Sequence, residues 1–521
     1  MSNTHPSNRH FIMARSWSKE NFVNLLVFAF FCISFIGILN HEMWRDELQA
    51  WMIARDSSSL INLFKNLRYE GHPGLWHLGL YVITRFTSNP FWMQIYHLII
   101  ATATVYVFAR FSPFTRLTKI LFSFGYFPFY EYSLISRNYA IGVLLIFIFC
   151  TLFRKPARNY IIFSIILALL ANTNIYGTMI AIAIGTTLVL EVILEGNINR
   201  ILADKKKQRI IGIVIFFIGV GGAILQMLPP PDRWHGADWK LDLDIERLTQ
   251  TISIIPKGYL LMVWNYIPMS DTFLFSLFIF SVLIGISLIL INQRKALFLY
   301  VSGTSLILLF SYTKFIGYWR HHGILFILLI ACLWLSYNSN SENYKNYNKS
   351  NSKKIFIKRF INLFKRNKVR LIILLMFIHL AVGIRFFARD LIYPFSASKA
   401  VATYIQEKKL DNLIIVGYPS SRVSPLAGYL DKKVYYPQQN SFGSFVVWKK
   451  DNMKEMTTQE ILEHTYKINQ NYPNQSILLI TNYSLEENDE ITVVKPNISI
   501  SKNSEFTRSL FEKYYLYIVK R

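Results

Sequence analysis

Apolar residues along this chain occur in long, nearly uninterrupted blocks instead of alternating with polar residues. Clear examples are the segments 21–39, 210–228 and 272–291, each about 20 residues long. An α-helix of about 20 apolar residues matches the thickness of the hydrocarbon core of a bilayer. The pattern therefore predicts a polytopic membrane protein. No small-residue cleavage site follows the first block, so we expect that block to be an uncleaved span and not a signal peptide.

Basic residues in the loops between the apolar blocks predict the orientation of the spans, because such loops stay on the cytoplasmic side. The basic loops are 110–119, 154–158, 204–209, 293–295 and the long Asn/Ser/Lys-rich stretch 337–370. Placing them and the N-terminus inside gives about 11 spans, at 21–39, 91–109, 120–135, 138–153, 159–172, 174–194, 210–228, 272–291, 296–313, 321–336 and 370–389. The segments 74–86 and 257–269 are too short to cross and are expected to be interfacial or, for the second, re-entrant.

The chain after the last span changes character, because mixed polar sequence there contains short apolar strand candidates such as "DNLIIVGYP" and "SILLITNY". This pattern predicts a small C-terminal α/β domain. The predicted fold class is an all-α polytopic membrane protein with interfacial helices in its first outer loop and an extracytoplasmic α/β domain. The regions are a cytoplasmic tail (1–20), a transmembrane module (21–336), a basic cytoplasmic linker (337–369), the last span (370–389) and the outer domain (390–521).

This topology gathers acidic and basic side chains on the outer face. Each has an ordinary explanation when taken singly, since tryptophan-flanked charges anchor helices at the interface and arginines at helix ends extend to the headgroups. Together they indicate a site, because the other loops are mainly basic. They come from five outer segments and include Asp46, Glu47, Arg55, Glu70, His72, Glu131, Arg137, Asn172, Asn174, Tyr176, Asp232, Arg233, His235, Asp238, Lys314, Arg320, His321 and His322.

The chemistry of these residue types suits a lipid-linked phospho-sugar. A carboxylate such as Asp46 or Glu47, next to a span, can accept a proton from an acceptor hydroxyl or amine. Arg137, Arg320 and Lys314 can hold a phosphate that departs as an anion. The residues His72, Tyr139, His321 and His322 are further candidates for substrate binding.

The order of motifs resembles that of the polytopic C-type glycosyltransferases, especially the family of protein O-mannosyltransferases and lipid A aminoarabinose transferases. An acidic pair follows the first span in "HEMWRDELQAW" (41–51), "HPGLW" (72–76) opens a surface helix, and "SRNYAI" (136–141) forms a later outer turn. The resemblance covers roughly residues 20–230. It departs at Gly74, where the family has a second proline, and in "WRDELQAW", where Gln49 and Trp51 follow the acidic pair.

The resemblance implies roles for particular residues. Asp46 would be the catalytic base with Glu47 as its partner, Arg137 would belong to the donor site, and Arg320 would contact the lipid phosphate. The implied activity is inverting transfer of a hexosyl or pentosyl group from a polyprenyl-phosphate donor to an acceptor outside the plasma (inner) membrane. The acceptor would be an envelope glycan, lipid or protein.

Other functions remain open at this point. A lipid or solute transporter would place ionisable residues inside its spans, and a non-catalytic envelope assembly protein would tolerate neutral residues in the outer cluster. The net charge of +25 is spread over short loops, so nucleic acid is not an expected partner, whereas membrane lipids are. We expect no cofactor and no metal, although Asp232, Asp238 and the two histidines could bind a divalent cation.

Overall fold

The computed structural model describes residues 18–154, 158–194, 206–234, 239–261, 283–291, 293–337, 353–472, 476–485, 491–499 and 512–519. His235 and Asp238 lie outside the described residues, as do large parts of the predicted segments 257–269 and 272–291 and part of the stretch 337–369. The chain forms a helical membrane part followed by a C-terminal domain that contains a β-sheet.

Long apolar helices make up the membrane part, which confirms the predicted fold class of a multi-pass membrane protein. In the part of the chain that the structure describes, six helices are long and apolar enough to cross a bilayer. Shorter apolar helices lie between them, and the predicted number of about 11 spans stays a prediction. The helices of this part are α1 (Lys19–Asn40), α5 (Phe91–Phe111), α7 (Tyr139–Phe153), α8 (Tyr160–Ala171), α9 (Ile175–Leu194), α10 (Lys206–Met227), α13 (Arg294–Thr313), α14 (Trp319–Ser336) and α15 (Lys353–Ile392).

The predicted span at 120–135 is not a single helix. Helix α6 (Arg116–Ser123) ends early, and a π-helical turn (Tyr126–Glu131) follows it. Gly125 sits at the break, where an added Cβ would lie 3.1 Å from the Leu121 carbonyl oxygen and 3.2 Å from the Cβ of His379. Pro128 lacks an N–H group for a regular helix. The irregular segment is buried throughout, so packing and not helix propensity determines its shape.

Helix α15 begins at Lys353, well before the predicted start of the last span at residue 370. No helix-breaking pattern interrupts this segment, because Gly383 is the only glycine between 353 and 392 and no proline occurs there. The basic composition of 353–369 therefore does not prevent a helix, and this part of the predicted basic linker is helical.

Three short helices form the first loop: α2 (Arg45–Asp56), α3 (Leu60–Leu67) and α4 (Leu75–Ile83). The serine run before α3 provides its N-cap, since the Ser59 hydroxyl accepts a hydrogen bond of 3.1 Å from the Asn62 N–H. Gly71 has a φ of +69°, which turns the chain between α3 and α4. At nine residues, α4 is too short to cross a bilayer, as the sequence predicted. Two further short helices, α11 (Ile245–Ile252) and α12 (Ile254–Tyr259), follow α10.

The C-terminal domain is the predicted α/β unit. Among its described residues, six strands form a sheet in the order β3-β2-β1-β4-β6-β5, in which β1 pairs in parallel with β2 and β4 and the other pairs are antiparallel. The strands are β1 (Ile414–Tyr418), β2 (Val434–Tyr436), β3 (Ser441–Gly443), β4 (Ile477–Thr481), β5 (Ile491–Ser499) and β6 (Lys513–Val519), and the helices are α16 (Ser398–Glu407), α17 (Ser420–Leu430) and α18 (Thr458–Asn471). The central strands β1 and β4 are buried, as expected for continuous apolar runs.

The C-terminal domain packs directly on helix α2. Leu48 and Met52 of α2 share a buried cluster with Leu426 and Ala427 of α17. The helices approach closely, because an added Cβ at Gly428 would lie 3.1 Å from the Cδ2 atom of Leu48. Helix α2 is therefore buried between α4 and this domain, and the direction of its side chains is fixed by both.

Candidate active site

Asp46 and Glu47 lie in the first turn of α2, not in an extended loop. Neighbouring residues of an α-helix project about 100° apart, so the two carboxylates face different surroundings. The N-terminal end of a helix also favours negative charge. The first turn therefore accommodates two adjacent acids and directs them to different places.

The Asp46 carboxylate is surrounded by three guanidinium groups. Its Oδ2 atom lies 2.7 Å from Nη1 of Arg137 and 3.1 Å from Nη2 of Arg320, and its Oδ1 atom lies 3.1 Å from Nη2 of Arg45. Burial by itself would raise the pKa of the Asp46 carboxyl, but Arg137, Arg45 and Arg320 outweigh it and hold the pKa well below its usual value. Asp46 is therefore ionised in this arrangement and carries one negative charge against three positive ones.

The two distant arginines come from different helices, and Arg320 is further fixed by aromatic residues. Arg137 lies in the turn just before α7, and Arg320 lies in the first turn of α14. The Tyr132 hydroxyl donates a hydrogen bond of 2.6 Å to the Arg320 carbonyl oxygen. The Arg320 guanidinium also lies 5.8 Å from the ring centroid of Trp44. Three separate parts of the chain thus supply the charges of the cluster.

Glu47 points away from this cluster and is fully buried. Its Oε1 atom accepts a hydrogen bond of 2.6 Å from the Ser136 N–H, and its Oε2 atom accepts one of 3.2 Å from the Trp44 N–H. His41 lies 3.1 Å from the same Oε2 atom and 2.7 Å from a carboxylate oxygen of Asp390. Glu47 therefore ties the turn that carries Arg137 to the start of α2, which is a positioning role.

A cavity of about 500 Å³ opens beside Asp46, a size typical of ligand sites. The membrane helices, the first loop and the C-terminal domain all contribute to its walls. Of the nine residues given a catalytic or binding role from sequence, seven line the cavity: Asp46, His72, Arg137, Tyr139, Lys314, Arg320 and His321. Other members of the outer-face set that line it are Glu70, Asn174, Tyr176 and Arg233.

The other two predicted candidates, Glu47 and His322, are described by the structure but lie behind the cavity wall. His322 is buried, and its Nε2 atom lies 3.1 Å from the Ile316 carbonyl oxygen. Glu131, from the outer-face set, likewise turns inward and accepts a hydrogen bond of 2.7 Å from the Tyr126 hydroxyl. These three side chains contact the protein itself, so a direct contact with substrate would require a rearrangement.

Several lining residues had no predicted role. Arg45 stands next to Asp46, so its place in the cluster had a local signal in the sequence. Gln49 follows one helical turn after Asp46, a spacing that places both on one face. Trp448 comes from the C-terminal domain, and no motif marked it. Its ring lies 6.0 Å from that of Trp234 and 5.6 Å from the Arg45 guanidinium.

The side of the cavity formed by the first loop has a different electrostatic character. Burial and the charges of Arg137, Arg233 and Arg320 lower the pKa of His72 to about 3, so its imidazole is neutral at physiological pH. Burial, with smaller contributions from His72 and Arg137, also lowers the pKa of His77 to about 3. These rings can donate or accept a hydrogen bond there but add no charge.

A metal centre has no clear candidate among the residues that the structure describes, since no three His, Cys, Asp or Glu side chains form a group that could hold an ion. Asp232, one of the acids considered for a cation, accepts hydrogen bonds of 2.9 and 3.1 Å from the Tyr69 hydroxyl. The absence of a cofactor and of a metal stays a prediction.

Comparison with known proteins connects this geometry to one fold. No protein-family model matches the chain, and no curated protein sequence matches it. Among solved structures, the crystal structure of ArnT from Cupriavidus metallidurans bound to undecaprenyl phosphate is similar, with a TM-score of 0.50, coverage of 95% of this chain and 98% of that one, and 11% identity. At this identity the likeness shows the fold alone, which is an ArnT-like polytopic membrane fold and agrees with the resemblance predicted from sequence.

Proposed function

From the C-type fold, we propose that this protein is a membrane glycosyltransferase that uses a polyprenyl-phosphate-linked sugar as donor. The observation that carries the proposal is the convergence of Asp46, Arg137 and Arg320 in one cavity of about 500 Å³. Such a concentration of buried charge is costly to maintain for stability alone, and it is typical of functional sites.

The cationic side chains that line the cavity are suited to binding a phosphate group. Guanidinium groups bind phosphate oxygens through paired N–H donors, and they stabilise the charge that develops on a departing phosphate. Arg137 and Arg320 now share the Oδ2 atom of Asp46, so an incoming phosphate would compete with that carboxylate for them. Lys314 also lines the cavity and lies 5.1 Å from the ring of Trp239. The undecaprenyl phosphate bound to ArnT supports a lipid carrier of this kind here.

The reaction follows from this arrangement. The acceptor oxygen or nitrogen forms a bond to the anomeric carbon, the bond from that carbon to the phosphate oxygen breaks, and the lipid phosphate leaves with the electron pair. A single displacement of this kind inverts the anomeric configuration. Asp46 is the base predicted from sequence. Its present role is to hold three guanidinium groups in position, which is a separate requirement from accepting a proton.

The proposed location is the plasma (inner) membrane with the site facing the extracytoplasmic side, where the C-terminal domain would also lie. The basic loops predicted to face the cytoplasm occur at the opposite helix ends from Arg137 and Arg320. Donor lipid would reach the cavity from the bilayer, and the acceptor would be an envelope glycan, lipid or protein.

The alternative functions fit the geometry less well. A transporter would use a path open to both faces with ionisable groups at mid-membrane, whereas Arg137 and Arg320 lie at the beginnings of their helices. An assembly protein would not require the cavity charges, so replacement of Asp46 and Arg137 together would leave its function intact.

The experiment uses the full-length protein in lipid nanodiscs. Binding of undecaprenyl phosphate is measured for the wild type, Arg137→Ala and Arg320→Ala, with Arg68→Ala as control because Arg68 is an exposed cation of the first loop outside the cavity. Transfer is measured with radiolabelled polyprenyl-phosphate hexoses and pentoses and with envelope membranes as the acceptor source. We expect both cavity variants to weaken binding by about tenfold or more, as loss of a charged hydrogen bond implies.

Two results would contradict the proposal. Equal binding of undecaprenyl phosphate by the cavity variants and by Arg68→Ala would remove the cations from donor recognition. If the wild type moves label from none of the lipid-linked donors to a membrane component, the result would argue against glycosyl transfer, even if the lipid phosphate itself binds.

A further inference from the structure

A second carboxylate, that of Glu70, lies in the cavity with Asp46. Glu70 belongs to the segment between α3 and α4, and its Oε1 atom accepts a hydrogen bond of 2.8 Å from the amide of Gln49. Gln49 follows Asp46 by three residues on α2, so both side chains face the same cavity. Helix α2 and the segment between α3 and α4 thus bring the two carboxylates to the same cavity.

The Gln49 side chain is held without help from Glu70. Its amide nitrogen donates a hydrogen bond of 2.7 Å to the Val446 carbonyl oxygen, and its amide oxygen accepts one of 2.9 Å from the Val446 N–H. Among the described residues, Gln49 supplies the hydrogen bond to the Glu70 carboxylate, at Oε1, and Glu70 is one of the residues that line the cavity. The structural contact with Gln49 therefore accounts for one of the two carboxylate oxygens of Glu70.

The surroundings of the two carboxylates differ strongly. Asp46 has three guanidinium groups in contact, whereas the groups that face Glu70 are the neutral amide of Gln49 and the more distant charges of Arg233, Arg137 and Asp46. Arg233 hydrogen-bonds to the Glu70 backbone, where its Nη2 atom donates to the carbonyl oxygen at 3.3 Å. Burial outweighs Gln49, Arg233 and Arg137 and, aided by the negative charge of Asp46, raises the pKa of Glu70 to about 7.

A general base must be able to take up and release a proton near the working pH, and it must reach the reacting group. Sites that contain two carboxylates commonly separate their roles by environment, with one kept ionised and the other free to exchange a proton. The ion pairs of Asp46 oppose its protonation, whereas Glu70 lines the same cavity and is bonded there by the neutral amide of Gln49.

We propose that Glu70 is the catalytic group that accepts the acceptor's proton, while Asp46 remains ionised and positions the arginines. This inference rests on the proposed glycosyl transfer. The O–H or N–H proton of the acceptor moves to Glu70 as the acceptor atom bonds to the anomeric carbon. The bond to the phosphate oxygen breaks, and the lipid phosphate leaves with its electron pair. Glu70 then returns the proton to solvent.

The kinetic test compares Glu70→Gln and Glu70→Asp with the wild type in nanodiscs. Glu463→Gln is the matched control, because it removes an exposed carboxylate of the C-terminal domain. We expect Glu70→Gln to lower kcat by about 100-fold or more and to leave the affinity for undecaprenyl phosphate within about twofold, since the donor cations are untouched. The wild-type kcat should rise with pH around a midpoint near 7, and that rise should be absent in Glu70→Gln.

An infrared measurement tests the proton site without any sugar. The C=O stretch of a protonated carboxyl is followed as pH increases, in the wild type and in Glu70→Gln. We expect the wild type to lose a band with a midpoint near 7 that the variant lacks. Identical spectra in the two proteins would overturn the proposal, as would a Glu70→Gln enzyme with the wild-type kcat and pH profile.

These outcomes separate this inference from the proposed function. A wild type that transfers no sugar but shows a titrating band that Glu70→Gln lacks would contradict the glycosyltransferase assignment and retain Glu70 as the exchangeable acid of the cavity. A wild type that transfers sugar while Glu70→Gln is equally active would retain the assignment and exclude Glu70 as the base.

Discussion

The Oδ2 atom of Asp46 lies 2.7 Å from the Nη1 atom of Arg137, and this ion pair joins the first loop to the turn that precedes α7. Glu47, the next residue, makes the parallel connection through the backbone N–H of Ser136 at 2.6 Å. Two adjacent acids therefore hold two adjacent residues of a distant turn. One contact faces the cavity and carries charge for binding, and the other is buried and fixes the distance between the segments.

Asp46→Asn tests whether this carboxylate competes with the lipid phosphate. Asparagine keeps the size of the side chain but removes the negative charge shared by Arg137 and Arg320. We expect undecaprenyl phosphate to bind at least as tightly as in the wild type, because the competing anion is gone. Sugar transfer should fall by about 100-fold, since the guanidinium groups lose the partner that orients them. Weaker binding in titrations with undecaprenyl phosphate would show that positioning matters more than competition.

Trp448→Ala tests the contribution of the C-terminal domain to the cavity wall. The ring of Trp448 is stacked at 6.0 Å from Trp234 and lies 5.6 Å from the Arg45 guanidinium. An aromatic pair contributes about 0.5–1.5 kcal/mol, so we expect several-fold weaker kcat/KM with little change in melting temperature. Phe442→Ala is the control, because this exposed ring of β3 lies in the same domain but outside the cavity. Equal effects of the two variants on kcat/KM would remove Trp448 from the site.

His41→Ala tests the buried contact between α1, α2 and α15. Burial opposes charge on His41, but Asp390 and Glu47 outweigh it and raise the pKa of His41 to about 10. Loss of the imidazolium would leave the carboxylates of Glu47 and Asp390 without their buried cation, which would lower the free energy of unfolding by about 3–5 kcal/mol. A raised pKa stabilises the fold below the ordinary histidine pKa of 6.5 and the effect disappears as pH rises through about 10.

The melting temperature of His41→Ala should therefore lie well below that of the wild type at pH near 6, and the difference should shrink as pH approaches 10. His464→Ala serves as the control because it removes a half-buried histidine of α18, away from α1. A difference that stays constant over this pH range would mean that packing, and not charge, accounts for the effect of His41.

Gly74→Pro tests why this chain departs from the family motif at that position. The Gly74 N–H donates a hydrogen bond of 2.9 Å to Oε1 of Gln226, and proline would remove that donor. An added Cβ would also lie 2.7 Å from the Cε1 atom of Phe64. Gly74→Ala has the same Cβ contact but retains the N–H, and the half-exposed Phe64 ring can shift.

We expect Gly74→Pro to lower the free energy of unfolding by about 1 kcal/mol more than Gly74→Ala, because the partly buried Gln226 acceptor loses its hydrogen bond. Thermal or denaturant unfolding in detergent measures the difference. Equal stability of the two variants would show that the bond to Gln226 contributes little.

Local features of the fold were readable from the sequence because they depend on residues close together in the chain. The length of the apolar blocks predicted membrane helices, and continuous apolar runs predicted the buried strands β1 and β4. The broken segment at 120–135 was missed, since its shape depends on contacts of Gly125 with α15.

The sequence by itself determined which chemical groups are available, it predicted through the order of spans and basic loops that they share one face, and it identified Asp46, Arg137 and Arg320 as candidates. Only the tertiary structure decided which of them meet. The phase of α2 directs Asp46 into the cavity and Glu47 away from it, and the domain packed on α2 brings Gln49 to Glu70 and Trp448 to Arg45. Those relationships depend on helix rotation and on contacts between distant segments, which no local pattern of residues records.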